Sequence, residues 1–342
     1  MPTPGRTALP RLAATAYNEG MPTGSEGERV RVLVALGGNA MTSPEGSAHP
    51  AAQVRAISEA MEHVAELVAA GHDVVLTHGN GPQVGNLLVK NEIAAQVVPP
   101  VPLDWCGAQT QGTIGFTMLD ALEPALARRG VQRPVAALVT RTLVDADDPH
   151  FTEPTKPIGR YLSGDEAKPM IEHGQTWEDR GEKGWRRVVA SPEPKEILDL
   201  PAIRTLVETG HVVVAAGGGG IPVVRDADGS LRGVQAVIDK DLSAALLARE
   251  LGCDILIIAT DVDAAMVDYG TPDQRPLGFT SLAQMQSYAA DGQFASGSMG
   301  PKVNAAIAFA ESGGRSIITS LAHITDAVER EFGTVIDTSP QD

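Results

Sequence analysis

Short apolar runs that end in glycine clusters, each followed by a stretch with helical spacing, restrict this chain to an α/β architecture. Val30 to Leu36 (VRVLVAL) reads as a buried strand; Val54, Ile57, Met61, Val64 and Leu67 then fall on one helical face, with Gly71 as the C-terminal stop. Asp73 to Thr77 is the next strand. A helix follows from about Pro82, a second runs from about Trp105 to Arg129 with Asp104 as its expected N-cap, and Pro134 to Thr140 reads as a further strand. Strands alternating with helices imply a mostly parallel sheet covered on both faces. The same rhythm resumes late in the chain, with strands predicted at His211 to Ala216, Asp254 to Thr260 and Arg315 to Thr319. Helices are predicted at Ala202 to Thr209, Leu242 to Glu250 and Lys302 to Glu311, with a last one through Ala327.

Between about residues 142 and 200 the rhythm breaks. The segment is rich in Asp, Pro, Gly and Lys and too long for a structureless connection, so it is read as an inserted lobe or lid with short strands. Residues 1–28 contain no continuous apolar block and are read as a flexible extension, with Met21 a candidate internal start. The resulting division is an extension over 1–28 and a domain over 29–336. Its halves are about 29–200 and 201–336, with the lid at about 142–200.

Of 342 residues, 27 are Lys or Arg and 43 are Asp or Glu, a net charge of −16 that argues against wrapping nucleic acid. No apolar run reaches the roughly 18 to 20 residues needed to span a bilayer, so no membrane role is expected. Cys106 and Cys253 stand apart from any CxxC or Cys/His cluster, which fits a reducing cytoplasm and gives no structural zinc site. HExxH, GxSxG and the GxxxxGK[ST] phosphate loop are absent.

Three glycine clusters follow strands: Gly37-Gly38-Asn39, Gly79-Asn80-Gly81 and Gly217 to Gly220. Without a Cβ, backbone N–H groups can close around anionic oxygens, and a following helix N-terminus adds positive potential. Together they point to an anionic ligand with more than one group to hold. The GxGxxxG spacing at Gly79 to Gly85 is only a weak dinucleotide fingerprint, because no acid-bearing strand end follows about 20 residues on.

The cations divide into 20 Arg and 7 Lys. Three lysines occupy Gly/Pro/Asp settings that make poor surface helix: Lys156 in TKPIG, Lys240 in VIDKD and Lys302 in GSMGPK. Phosphoryl transfer needs cations on the oxygens of the moving group and little covalent help. Asp239 and Asp241 either hold Mg²⁺ or orient Lys240; for Asp239 a turn or cap role has equal standing.

At this point the ordered blocks ALGGNA (35–40), THGNGPQVG (77–85), PLDWCGAQTQGTIGF (102–116), PTKPIG (154–159), RRVVASPEP (186–194), AAGGGGIPVV (215–224), VIDKDL (237–242) and GSMGPKV (297–303) resemble the carbamate kinase family. The resemblance covers about residues 30–336. It implies the amino-acid-kinase fold, a three-layer α/β/α sandwich with a mostly parallel central sheet and a protruding lid, in a homodimer. The implied reaction is reversible transfer between MgATP and carbamate, giving carbamoyl phosphate and ADP. Carried over, Gly37, Gly38, Asn39, Gly79, Asn80 and Gly81 hold carbamate and the transferred group, and Lys156 reaches in from the lid. Lys240 and Lys302 meet the ATP phosphates, Asp241 organises the lysines, Gly217, Gly218 and Gly219 bound the phosphates, and Asp261, Tyr269 and Met299 lie near the nucleoside. Asp239 is the weak metal candidate, with Mg²⁺ held mainly through nucleotide phosphates. Ile258 to Gly270 and the Trp105-Cys106 pair differ from the usual family forms.

Overall fold

The computed structural model describes residues 29–38, 49–95, 97–172, 174–294 and 299–338. In chain order, the first half contains β1 (Arg31–Leu36), α1 (Pro50–Ala69), β2 (Asp73–His78), α2 (Gly81–Ala94), α3 (Leu103–Arg128) and β3 (Val135–Ala137). The irregular middle holds β4 (Arg141–Val144), β5 (Lys156–Leu162), α4 (Gly164–Glu172), β6 (Trp177–Asp179), β7 (Trp185–Val189) and β8 (Pro194–Ile197). There follow α5 (Leu200–Glu208), β9 (Val212–Val214), β10 (Ile221–Arg225), β11 (Leu231–Gly233), α6 (Lys240–Leu251) and β12 (Ile255–Thr260). The chain closes with β13 (Met266–Val267), β14 (Arg275–Pro276), β15 (Phe279–Ser281), α7 (Leu282–Ala290), α8 (Met299–Ala310), β16 (Arg315–Ser320), α9 (Ile324–Arg330) and β17 (Thr334–Asp337).

The main sheet has the order β15-β17-β16-β12-β1-β2-β9-β3 and is parallel except for the β16–β17 pair. Because side chains alternate along a strand, one set of residues faces each way. Val32, Val34 and Leu36 of β1 pack with α1, α3 and α9, whereas Leu33 and Ala35 pack with residues of α5, α6 and α8. This is the expected three-layer sandwich. Strands buried on both faces have no polar side to show, which is why they read as continuous apolar runs.

Sequence and structure differ in places. Ile57, Met61, Val64 and Leu67 bury one face of α1, but Val54, in the early part of the helix, is 47% exposed. Helix α3 begins at Leu103, so Pro102 occupies the N-cap position and Asp104 lies in the first turn. The strand predicted over 134–140 pairs only at Val135–Ala137, because the chain leaves the sheet toward β4. The irregular segment contributes to two separate sheets. Strands β4 and β8 join β10 and β11 in the order β11-β10-β4-β8, while β5, β7 and β6 form a three-stranded sheet with its own small core of Leu162, Ala167 and Trp177.

Candidate active site

Strands β1, β2 and β9 are neighbours in the sheet, so the glycine turns at their C-terminal ends converge although they are far apart in sequence. Strand β1 also sits where the strand order reverses toward β12, the crevice at which open α/β sheets bind ligands. Gly79 N donates to Leu36 O at 3.0 Å, and a Cβ on Gly79 would lie 2.9 Å from Gly38 N and 3.4 Å from Lys240 Cδ. Glycine is required there because the two turns and the lysine stem touch.

The third turn is built differently. Ala216, Gly218 and Gly219 have φ of 51°, 66° and 91°, and a Cβ on Gly218 would fall 2.1 Å from Asn80 Nδ2. Buried side chains take up its carbonyls. Thr77 Oγ1 donates to Ala216 O at 2.9 Å, Gln111 Nε2 to Gly217 O at 2.8 Å, and Thr142 Oγ1 and Ser243 Oγ to Gly219 O at 2.9 and 2.8 Å. Among the described residues the amides of Asn80, Gly217 and Gly218 have no protein acceptor. Such amides beside a strand end form an anion-binding nest.

The lysines meet at the start of α6. Asp239 caps the helix, its Oδ1 accepting from Asp241 N at 2.9 Å, and its Oδ2 pairs with Lys156 Nζ at 3.1 Å. Asp241, only 3% exposed, accepts from Lys240 Nζ on Oδ1 at 2.5 Å and from Lys302 Nζ on Oδ2 at 3.1 Å. Burial alone would raise its carboxyl pKa, but Lys240 and Lys302 outweigh that and hold it below the ordinary range. Two ammonium groups against one carboxylate leave a local positive excess in a chain of charge −16. Lys156, Lys240 and Lys302 are all at least partly buried, whereas Lys90, Lys168, Lys183 and Lys195 are all exposed.

Both carboxylates are thus already engaged, and no cluster of three metal-ligating side chains exists among the described residues. Asp261 follows β12 and takes a hydrogen bond from Thr260 Oγ1 at 3.0 Å, and Met299 opens α8 one turn before Lys302, packed against the α6 side of the core. Tyr269 is 69% exposed beyond β13, and no hydrogen bond joins it to the lysines. Asn39, Gly297 and Ser298 lie outside the described residues.

His78 was not singled out by sequence. It is buried beneath the turns, with Nδ1 3.0 Å from Gly79 O and Nε2 2.3 Å from where a Gly217 Cβ would stand. Burial pulls its pKa down to about 4, so it is neutral at pH 7. Gln111, Thr142 and Ser243 escaped for the same reason: an ordinary polar residue in a helix or strand carries no local sign that it meets a remote carbonyl.

The amino acid kinase family profile matches residues 30–320. A carbamate kinase of Thermococcus kodakarensis is 44% identical over 90% of this chain and 98% of its own length. The chain belongs to the carbamate kinase family. The Escherichia coli carbamate kinase-like protein YahI is 45% identical over 89% of this chain and 98% of its own. The solved carbamate kinase from Giardia lamblia bound to AMP-PNP superposes with a TM-score of 0.86, at 41% identity, covering 91% of this chain and 99% of that one.

Proposed function

We propose that the chain catalyses reversible phosphoryl transfer between ATP and carbamate, yielding carbamoyl phosphate and ADP. The observation that carries this reading is the Asp241-bridged Lys240/Lys302 pair lying beside the glycine turns, with the amides of Asn80, Gly217 and Gly218 left without a protein acceptor among the described residues. Carbamate is already an anion, so the attacking oxygen needs no general base. What the transfer does need is alignment of two anions and neutralisation of charge on the equatorial oxygens of the moving group.

In this scheme the turns at Gly37-Gly38 and Gly79 to Gly81, with Asn39, hold the acceptor and the transferred group. Gly217 to Gly219 border the phosphates from the opposite side. Lys240 and Lys302 stabilise the leaving phosphate, and Asp241 fixes both ammonium groups at a set separation before substrate arrives, so little reorganisation accompanies transfer. Lys156 is supplied from β5, within the segment read as a lid, and exchanges Asp239 for substrate oxygen. Mg²⁺, when bound with the nucleotide, neutralises phosphate charge, with Asp239 the protein carboxylate best placed to face it. Asp261, Tyr269 and Met299 are assigned to the nucleoside side.

A homodimer is part of the proposal. Helix α3 leaves Trp105 and Phe116 63% and 56% exposed, and Val139, just past the edge strand β3, 57% exposed. A second copy covering this face would remove that apolar surface from water and shield the sheet edge. A cytoplasmic setting is supported by two buried free thiols, Cys106 and Cys253. The deciding experiment supplies purified protein with MgADP and fresh carbamoyl phosphate: ATP should form, and its absence would overturn the assignment.

A further inference from the structure

A second cleft, of 470 Å³, opens between the C-terminal half of α2, the start of α3 and the β5–β7 sheet. Leu88, Val101, Leu103, Phe151, Met170 and Trp177 supply apolar wall, and none of the glycine turns or active-site lysines lines it. Its size lies within the usual range for small-molecule sites, about 300 to 1,000 Å³. One wall is fastened in place, because Asn91 of α2 donates to Val101 O at 2.9 Å and accepts from Val101 N at 3.3 Å.

Into this cleft β7 directs Arg187. A guanidinium carries five N–H donors in a planar fork. Here Nη2 donates to Gln235 Oε1 at 3.1 Å, while Nε is buried without any partner, and no carboxylate among the described residues pairs with the group. Glu92, which also lines the cleft, is engaged with Arg160 Nε at 3.1 Å. Burial pulls the guanidinium pKa down, opposed by Cys106 and Glu92. Leaving a buried charged donor unmatched is costly, and arginine stays protonated rather than losing its charge.

We infer that this cleft binds a small organic carboxylate with an apolar body, its two oxygens received by the free edge of the Arg187 guanidinium and its body by the Val101, Leu103 and Trp177 wall. The fork matches a carboxylate in bidentate geometry, and the apolar lining disfavours a bare inorganic anion. Because the cleft shares β5 with Lys156 through Gly159, an occupant fills the space between the β5–β7 sheet and α2.

The test titrates the full chain with sodium benzoate at constant ionic strength and follows Trp177 fluorescence, with the Trp177→Phe variant as the spectral control. Saturable binding is expected at a Kd of about 1 mM or tighter, with benzamide, the uncharged isostere, at least about tenfold weaker. Arg187→Gln should weaken benzoate by a similar factor. Since a buried arginine variant can misfold, Gln235→Glu is the second probe: at an exposed position it supplies the guanidinium with an internal carboxylate and should abolish binding in a folded protein. Lys240→Ala should bind benzoate as the unaltered chain does, which separates this cleft from the phosphoryl-transfer site. No saturable binding, equal binding of benzamide, or unchanged affinity in Gln235→Glu would each overturn the inference without touching the proposed reaction.

Discussion

Asp241 is the residue on which the lysine geometry turns. Its two oxygens hold Lys240 and Lys302 in an almost water-free site, so Asp241→Asn leaves two close ammonium groups with no anion between them. The kcat/KM for ATP formation should fall by about 10² to 10³, the usual loss when a preorganised charge-stabilising group is removed; a change within about twofold would show that the lysines position themselves. His78 gives a pH prediction. Its folded-state pKa is depressed from 6.5 to about 4, so the folded chain resists a proton that the unfolded chain accepts. Stability from this group is fully present above pH 6.5 and is lost as pH falls from there toward 4, in total about 3 kcal/mol at 1.36 kcal/mol per unit. Thermal melts at pH 7, 5.5 and 4.5 should record that loss, and His78→Gln should flatten the pH dependence attributable to this site.

At the scale of elements, α6 shows how one side chain serves both helix and site. Asp239 satisfies the first-turn amides with Oδ1 and meets Lys156 with Oδ2. Asp239→Ala should cost about 1 kcal/mol through loss of the cap, measurable as a lowered Tm, whereas Asp239→Asn keeps an oxygen acceptor and should retain most of that stability. Both remove the anion facing Lys156, so a shared kinetic effect with divergent melting would separate the two roles. Legibility at this scale was uneven. Buried parallel strands were visible because apolar runs of that length have few other uses, and the Gly79 and Gly218 turns because close approach excludes a Cβ. Short edge strands such as β3 were overextended, since strand ends depend on where a neighbour stops pairing. Asp104 is not the cap because the helix begins two residues before Trp105, at Leu103, behind a proline with no amide to satisfy.

For the whole molecule, the charge of −16 and the positive site coexist because burial decides which charges act. Alanine at exposed Lys90, Lys168, Lys183 or Lys195 should leave turnover within about twofold, since solvated surface charges contribute little. The exposed α3 face yields a second prediction at this scale: with the proposed homodimer, light scattering should give the mass of two chains for the unaltered protein and of one for Phe116→Asp, and a two-chain mass in both would place the subunit contact elsewhere. By itself the sequence determined the α/β class, the turns too tight for any side chain, and the three lysines worth following, because backbone sterics and apolar periodicity act over a few residues. Only the tertiary structure decided that one carboxylate joins Lys240 to Lys302, that His78 is neutral beneath the turns, and that Arg187 reaches a second cleft. Those facts depend on desolvation and on partners brought together across the sheet, and neither is encoded in any local stretch of chain.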